Sequence, residues 1–382
     1  MLSENPAQAG FFYVLFPILL PVKDPDMKMR WKVLPLLAGM FFSTLSAASE
    51  PVQRLFEQWQ VTCNNLNDCD VRNANPDEDI RIILTYQAGP KGAIALDMAG
   101  YDSDSPEGIW VDGKRWQTTL ASHQADNQHD AAGYSSNSLV QIQAFLQLLT
   151  NASTLSLSPD SDEGTSLAGL MGALNFIDER QGRLHNRTAL IAPGEESAND
   201  VPHRYAIEPH FTMQAKVVPL KDPNHIIQTV LTSQAQLLTD QECTPEDETL
   251  QKSNAKPLDN QRALVMINCV SGAYQSSSIL FVIPRNHPER AKVLDLPIPL
   301  RNNQGDLQTV SWFTDPHYDP QRGLLYHTAR GRGLADCGES AIWRFNGKGF
   351  ELMSYHNQPT CDGGEPGNWP SVWLMPGFKE KE

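Results

Sequence analysis

Six cysteines constrain the fold of this chain more than any other feature, because each disulfide holds two segments of backbone side by side. Six cysteines allow fifteen pairings, and pairing each with its nearest neighbour joins Cys63 to Cys69, Cys243 to Cys269 and Cys337 to Cys361. A zinc site would need C-x-x-C spacing or cysteines clustered with histidines, and the sequence has neither. We therefore predict three local disulfides, no metal site and no cofactor.

The N-terminal sequence has the order of a secretory signal peptide. A basic stretch at 28–32, an apolar stretch at 33–45 and small residues at 46–48 follow one another. The apolar stretch is shorter than the roughly 20 residues that cross a bilayer. We predict an upstream extension plus signal peptide at 1–48, cleavage after Ala48, no stable membrane span, and a periplasmic location, where disulfides persist.

Charge and composition narrow the classes of partner. With 382 residues, of which 40% are hydrophobic and 20% charged, the chain is long enough for two globular domains. Its formal net charge of −15 argues against nucleic acid and anionic lipid, because both reward clusters of lysine and arginine. We expect no nucleic-acid partner.

A β-hairpin is predicted near the C-terminus. Residues 341–345 (AIWRF) and 350–355 (FELMSY) are short apolar runs joined by the sequence NGKG at 346–349. Asn-Gly between two such runs is a strong hairpin signal, because both residues tolerate positive φ. Cys337 precedes the first strand and Cys361 follows the second, so a bridge between them would close the open end of the hairpin.

The N-terminal half predicts a small sheet and two helices. Alternating apolar residues and turn signals place strands at 56–63, 81–86, 93–98 and 155–157, and a hairpin with Asp-Gly at its tip at 110–116. Apolar residues at helical spacing predict helices over 138–150 and 166–179, the second capped by residues 162–165. The polar stretch 122–138 predicts a loop.

The C-terminal half predicts mainly antiparallel β structure. A short helix over 226–238 is followed by strands over 262–270, 277–283, 309–313 and 324–328. The predicted fold class is α+β, with an N-terminal small sheet and two helices and a C-terminal, mainly antiparallel β domain. The predicted boundaries are an N-terminal domain at 49–190, a proline-containing linker at 191–224 and a C-terminal domain at 225–382.

A glycine-punctuated loop carries the first candidate site, which contains Arg330, Arg332, Asp336 and Glu339. One interpretation is a pocket for an anion or carboxylate, formed by arginine side chains and glycine N–H groups. The other is structural: the glycines supply turns, while the arginines pair with Asp336 or stack on Trp343. We favour the structural interpretation and keep the four residues as candidate ligand contacts.

Tryptophans form the second candidate site. Trp343 and Trp369, with Trp312 and Trp373, could line a groove for a glycan or a peptide. In a small β domain such side chains more often pack in the core or at its rim. We favour that position and keep Trp343 and Trp369 as candidate ligand contacts.

Motifs in residues 331–373 resemble the bacterial periplasmic family called domain of unknown function 1176. They are GRG-x-x-DCG at 331–338, W-x-F-N-G-x-x-F-x-L at 343–352, the later Cys361 and WP-x-x-W at 369–373. Members have Arg-Gly after the later cysteine, whereas this chain has Asp362-Gly363, so no role of that arginine carries over. The resemblance implies an exported protein of unassigned activity.

A second, shorter set of motifs resembles the invasion-associated locus B family. It comprises W-x-V-x-C at 59–63 and S-L-x-G-x-x-x-A-L at 166–174. The resemblance covers residues 52–183 and implies a related N-terminal domain.

Motifs typical of enzymes are missing from the sequence, which contains no G-x-S-x-G, no H-E-x-x-H, no S-x-x-K with its partner motifs and no phosphate loop. We therefore predict a protein that binds a ligand or interacts with the envelope, with an envelope protein or a glycan as partner. The alternative is a hydrolase acting on cell-wall or other envelope material. A serine–histidine pair or two carboxylates within hydrogen-bond reach in a groove would favour the hydrolase.

Overall fold

The computed structural model describes residues 49–74, 80–100, 108–124, 132–158, 164–205 and 217–379. The predicted signal peptide, its cleavage site after Ala48 and the acidic part of the predicted helix cap, Asp162 and Glu163, lie outside the described residues.

Eleven strands and two helices are described up to Arg180. They are β1 (Val52–Phe56), β2 (Trp59–Cys63), β3 (Cys69–Asn73), β4 (Ile80–Tyr86), β5 (Ile94–Gly100), β6 (Ile109–Val111), β7 (Lys114–Trp116), β8 (Ala121–His123), β9 (Gly133–Ser136), α1 (Leu139–Leu149), β10 (Thr154–Ser156), β11 (Thr165–Ser166) and α2 (Leu170–Arg180). Seven strands form an antiparallel sheet in the order β1-β2-β3-β4-β5-β9-β8, and four shorter ones pair in the order β11-β10-β6-β7.

Both helices bury an apolar face against these strands. Helix α1 contributes Ile142, Phe145, Leu146 and Leu149, and α2 contributes Leu170, Ala173, Leu174 and Ile177. Helix α2 packs on β1, β2 and β3. The faces match the apolar spacing in the sequence, because residues three and four apart share one side of a helix.

Two local predictions were wrong. The stretch 122–138 was expected to be a loop, but its described part contains the end of β8 and all of β9. Helix α2 begins at Leu170, after Gly169, and Thr165 and Ser166 belong to a strand. The helix cap therefore does not lie at 162–165.

From residue 217 onward the described chain is mostly strand. Its elements are α3 (Pro223–Ser233), α4 (Ala235–Asp240), α5 (Asp247–Leu250), β12 (Asn254–Pro257), β13 (Arg262–Ser271), β14 (Ser276–Pro284), β15 (Lys292–Val293), β16 (Leu296–Arg301), β17 (Leu307–Val310), β18 (Trp312–Thr314), β19 (His317–Asp319), β20 (Leu324–Arg330), β21 (Gly338–Phe345), β22 (Phe350–Gln358) and β23 (Ser371–Leu374). The larger sheets have the orders β12-β13-β14-β15, with β18 also on β14, and β19-β20-β21-β22-β23. Strands β16 and β17 form a separate hairpin.

The predicted hairpin is formed by β21 and β22. Gly347 has φ of 85°, as the Asn-Gly turn requires. Trp343 and Phe345 lie in the core of the C-terminal half, and Phe345 contacts Phe350 across the hairpin. The Cys337–Cys361 bridge lies at the open end of the hairpin.

The structure has three disulfides, and they join the nearest neighbours in the sequence. Such bonds indicate an oxidising environment. Among the described residues, no helix has both the length and the apolar character that crossing a membrane requires. The fold is β-rich, with several antiparallel sheets and few helices, and the domain boundaries at 190 and 225 stay a prediction.

Candidate functional site

The candidate loop connects β20 to β21, and its two ends are held together. The Gly331 N–H donates to the Cys337 carbonyl at 2.9 Å. A Cβ atom at position 331 would lie 2.5 Å from Cys337 Sγ, so glycine is required by close approach. The disulfide from Cys337 to Cys361 then ties the loop to the segment that follows β22.

Asp336 anchors this loop from the inside. Its side chain is fully buried and accepts two hydrogen bonds from Arg332, one of them from Nε at 2.7 Å. It also accepts the Gly363 N–H at 2.7 Å. The hydrogen bonds from Arg332 and Gly363 hold the pKa of Asp336 below its usual range, although burial acts in the other direction. Arg332 is thus paired with Asp336, as the structural interpretation expected.

Ala335 fixes the backbone at the turn of the loop. It has φ of 56°, a left-handed conformation that is uncommon for a residue with a Cβ. Its N–H donates to the Arg332 carbonyl, and its own carbonyl accepts the Gly367 N–H at 2.8 Å and Trp369 Nε1–H at 3.1 Å. Trp369 is buried, so its hydrogen bond to Ala335 holds the loop from the protein interior.

The outer side of the loop is exposed beside the β13–β14 hairpin tip. Leu334 is 65% exposed and Tyr274 is 45% exposed. The two segments are neighbours, because a Cβ at Gly333 would lie 3.9 Å from Tyr274 Cδ1 and Arg330 Nη1 donates to the Tyr274 carbonyl at 3.2 Å. We call Tyr274, Arg330, Arg332 and Leu334 the loop surface.

Glu339 and Trp343 do not belong to the loop surface. In the sheet Arg330 pairs with Gly338, whereas Glu339 pairs with Ala329. Paired residues share a face and successive residues alternate, so Arg330 and Glu339 point to opposite faces. Trp343 follows Glu339 at strand spacing and is 1% exposed. The six predicted ligand contacts are therefore divided between a surface loop and the interior.

Glu339 joins a three-residue network that sequence reasoning missed. It accepts hydrogen bonds from Tyr355 OH and from His327 Nε2, the latter at 3.3 Å. His327 Nδ1 accepts the Thr314 N–H at 2.9 Å, so we assign the ring proton to Nε2 and a neutral imidazole. Both ring nitrogens are therefore engaged in contacts that join β18, β20 and β21.

The electrostatics of this network stabilise the ionised carboxylate. Burial would raise the pKa of Glu339, but the hydrogen bonds from His327 and Tyr355 outweigh it, so the pKa lies below its usual range. Burial, together with the charge of Glu339, raises the pKa of Tyr355. Alternation along the predicted strands assigns a face to each of these residues, but not the register that brings them together.

Asp362 forms a second buried group that the sequence did not single out as a site. It is 3% exposed, accepts the Gly364 N–H at 2.9 Å and lies 3.8 Å from Arg72 Nη1. Burial raises the pKa of Asp362, while the Gly364 N–H and the charges of Arg72 and Arg81 oppose the rise. Asp362 stands where members of the resembled family have an arginine. Here this carboxylate faces two arginines of the N-terminal sheet, Arg72 and Arg81.

The described residues contain one group with metal-ligand spacing, formed by Asp336, Cys337 and Cys361. The two sulfur atoms are joined in a disulfide and cannot act as thiolate ligands. The remaining candidate tryptophans, Trp312 and Trp373, are partly buried and pack against the cores of the C-terminal half.

Comparison with known proteins gives a family and a relative. The family model described as "Protein of unknown function (DUF1176)" matches residues 53–376. "Uncharacterized protein YpfG" of Escherichia coli (strain K12) is 29% identical over 364 residues, covering 91% of this chain and 99% of the relative. No solved structure matches the chain significantly. The family match extends across both halves, and the expected resemblance of residues 52–183 to invasion-associated locus B is not shown.

Proposed function

Since the chain belongs to the family described as Protein of unknown function (DUF1176), we propose its role from its own geometry: it is an exported binding protein that recognises a partner protein of the envelope through the loop surface. The observation that carries the proposal is Leu334. A leucine that is 65% exposed stands on a loop whose backbone is held by a disulfide, a buried carboxylate and a tryptophan N–H.

A fixed loop suits binding for a thermodynamic reason. Ordering a flexible loop on association costs free energy, and a loop that is already held in one conformation avoids most of that cost. Left-handed backbone at a residue with a Cβ, as at Ala335, is retained where surrounding contacts over-determine it, and such positions are frequent at ligand clamps.

The chemistry of the loop surface favours a protein over a glycan. Tyrosine and arginine are enriched among the residues that dominate protein interfaces, and the loop surface presents Tyr274 and Arg332 together with Leu334. The glycan groove that the sequence suggested would need exposed tryptophan faces, whereas the one aromatic side chain among the four residues of the loop surface is Tyr274. Trp343 and Trp369 are 1% and 7% exposed and offer no such face.

Export from the cytoplasm is part of the proposal. The three disulfides are the support for it, because such bonds persist in oxidising compartments. We propose a periplasmic location, with a signal peptide cleaved after Ala48. N-terminal sequencing of the exported chain tests this, and Ser49 should be its first residue.

The hydrolase alternative has less support. Its strongest candidate would be His327 beside Glu339, but the His327 ring is 1% exposed and its nitrogens contact the Thr314 backbone and Glu339. Among the described residues, neither ring nitrogen is thus hydrogen-bonded to a serine, threonine or cysteine side chain. The carboxylates of Asp336 and Asp362 are both buried and likewise inaccessible.

The binding role is tested by cross-linking followed by an affinity measurement. A photo-crosslinkable residue at Leu334, in cells that export the chain, should capture a partner that the same residue at exposed Val140 does not. With that partner purified, Leu334→Asp should weaken binding about tenfold or more, which corresponds to at least ~1.4 kcal/mol. Val140→Asp, on α1, should change it less than about twofold. Equal effects of the two substitutions, or no cross-link at position 334, would contradict the proposal.

A further inference from the structure

A cleft of about 600 Å³ lies between the start of β1, the end of α2 and the β16–β17 hairpin. This volume is in the range of small-molecule sites. Its lining combines two arginines, Arg180 and Arg301, with an apolar wall. The cleft is separate from the loop surface, since no residue of that surface lines it.

Arg180 has an unsatisfied donor beside this cleft. Its Nη2 donates to the Glu50 carbonyl and to Ser49 Oγ, while its Nε is buried without a hydrogen-bond partner. Buried guanidinium N–H groups are nearly always paired, because an unpaired one loses its hydration without compensation. Burial also lowers the pKa of Arg180, which nonetheless stays a cation at neutral pH.

Arg301 is held by a contact that a ligand can replace. Its Nε donates to the Glu50 carboxylate, and both side chains are more than half exposed. An exposed ion pair of this kind contributes little to stability, so exchange for another carboxylate costs little. Glu50 therefore links the two arginines, through its carbonyl at Arg180 and its carboxylate at Arg301.

The remaining wall is apolar. Val52, Pro299 and Leu300 line the cleft next to the arginines. A charged end with a short apolar body would match this division, since arginine forms two parallel hydrogen bonds to a carboxylate. In a chain with a net charge of −15, two arginines around one glutamate give this cleft a local excess of positive charge.

We propose that this cleft binds a small organic carboxylate with an apolar substituent. The ligand carboxylate replaces that of Glu50 at Arg301 and lies beside the Arg180 guanidinium, which also lines the cleft. Its apolar part lies on Val52, Pro299 and Leu300.

The test is calorimetric titration of the purified protein at low salt with N-acetylglycine, N-acetylleucine and N-acetyl-leucyl-leucine, each beside its carboxamide. At least one carboxylate should bind about tenfold or more tightly than its amide, and added salt should weaken it. Arg180→Gln and Arg301→Gln should each reduce the affinity about tenfold, and exposed Arg290→Gln, outside the cleft, should not.

Glu50→Gln is the decisive variant, because the expected result is a gain in affinity for the carboxylate, which misfolding cannot produce. Removing the competing carboxylate should tighten binding several-fold. Thermal unfolding of each variant reports whether it is folded. The proposal is overturned if no carboxylate binds better than its amide, if Arg301→Gln binds as wild type does, or if Glu50→Gln fails to bind more tightly.

Discussion

At the scale of single residues, Ala335 adopts a backbone conformation that a residue with a Cβ disfavours, and hydrogen bonds within the site keep it there. A residue with a Cβ in the left-handed region loses about 1–2 kcal/mol relative to ordinary backbone conformations. Three hydrogen bonds, to the Arg332 carbonyl and from Gly367 and Trp369, fix it there with φ of 56°. Glycine would adopt this conformation without the steric penalty.

We therefore predict that Ala335→Gly leaves the free energy of unfolding unchanged or raises it by up to about 1 kcal/mol, because lost strain offsets the added flexibility of the unfolded chain. Ala329→Gly, near the end of β20 and paired with Glu339 in the sheet, is the matched control and should lower it by about 0.5–1 kcal/mol. Urea unfolding of both variants measures the difference. An equal loss in the two would show that Ala335 is not strained.

At the scale of elements, the sequence predicts structure best where one segment carries its own signal. The β21–β22 hairpin follows from Asn346-Gly347, and alternation along β21 correctly places Trp343 and Phe345 inside. The pairing of this hairpin was not predictable in full. Leu352 and Ser354 oppose neighbouring residues, Trp343 and Ile342, so Met353 forms a bulge that only its buried packing explains.

Elements determined by distant contacts were missed. Strand β9 has the sequence GYSS, which has little strand propensity, yet it lies between β5 and β8. A Cβ at Gly133 would lie 1.8 Å from the Met98 carbonyl oxygen, so the neighbouring strand explains the glycine. Helix α2 begins after Gly169, where a Cβ would lie 2.1 Å from the Phe56 carbonyl oxygen. In the candidate site, likewise, the glycine-rich loop could be predicted from the sequence. The partners of Glu339 could not, because they come from other strands.

Asp178, on α2, should make the free energy of unfolding depend on pH. It is 2% exposed and accepts the N–H groups of Leu190 and Ile191. Burial raises its pKa from 3.8 to about 6, even though these hydrogen bonds oppose the rise. Between those values the folded chain keeps a proton that the unfolded chain has lost.

The free energy of unfolding should therefore fall as pH rises through this window, by up to about 3 kcal/mol from this group. Asp178→Asn should remove that contribution, so the stability of wild type relative to the variant should decline between about pH 4 and about pH 7. Urea unfolding across the range measures it, with exposed Asp240→Asn on α4 as control. A pH-independent difference between wild type and Asp178→Asn would contradict the assignment.

At the scale of the whole molecule, polar side chains join the N-terminal sheet to the C-terminal one. The Asn65 amide donates to the Leu374 carbonyl and accepts the Leu374 N–H, so it pairs with edge strand β23 as another strand would. Gln53 Nε2 donates to the Asn357 carbonyl. Buried polar contacts of this kind are costly to break, because each separated group loses its partner.

Arg72 is the most buried charge in this junction, and we expect its removal to destabilise the protein strongly. It forms two hydrogen bonds to Asp70, donates to the Asn368 carbonyl at 2.9 Å and faces Asp362 at 3.8 Å. Arg72→Met keeps about the same volume but removes the buried cation that Asp70 pairs with and one of the two arginine charges acting on Asp362, so we expect a loss of about 3–5 kcal/mol of unfolding free energy. Without Arg72 the pKa of Asp362, already raised by burial, should rise further. The folded variant then holds a proton that the unfolded chain releases, and the deficit should shrink as pH falls toward about 4.

Calorimetry at several pH values measures both effects, with exposed Arg290→Met as control. A deficit below about 1 kcal/mol, or one that does not change with pH, would show that the Arg72 junction contributes little to holding the two sheets together.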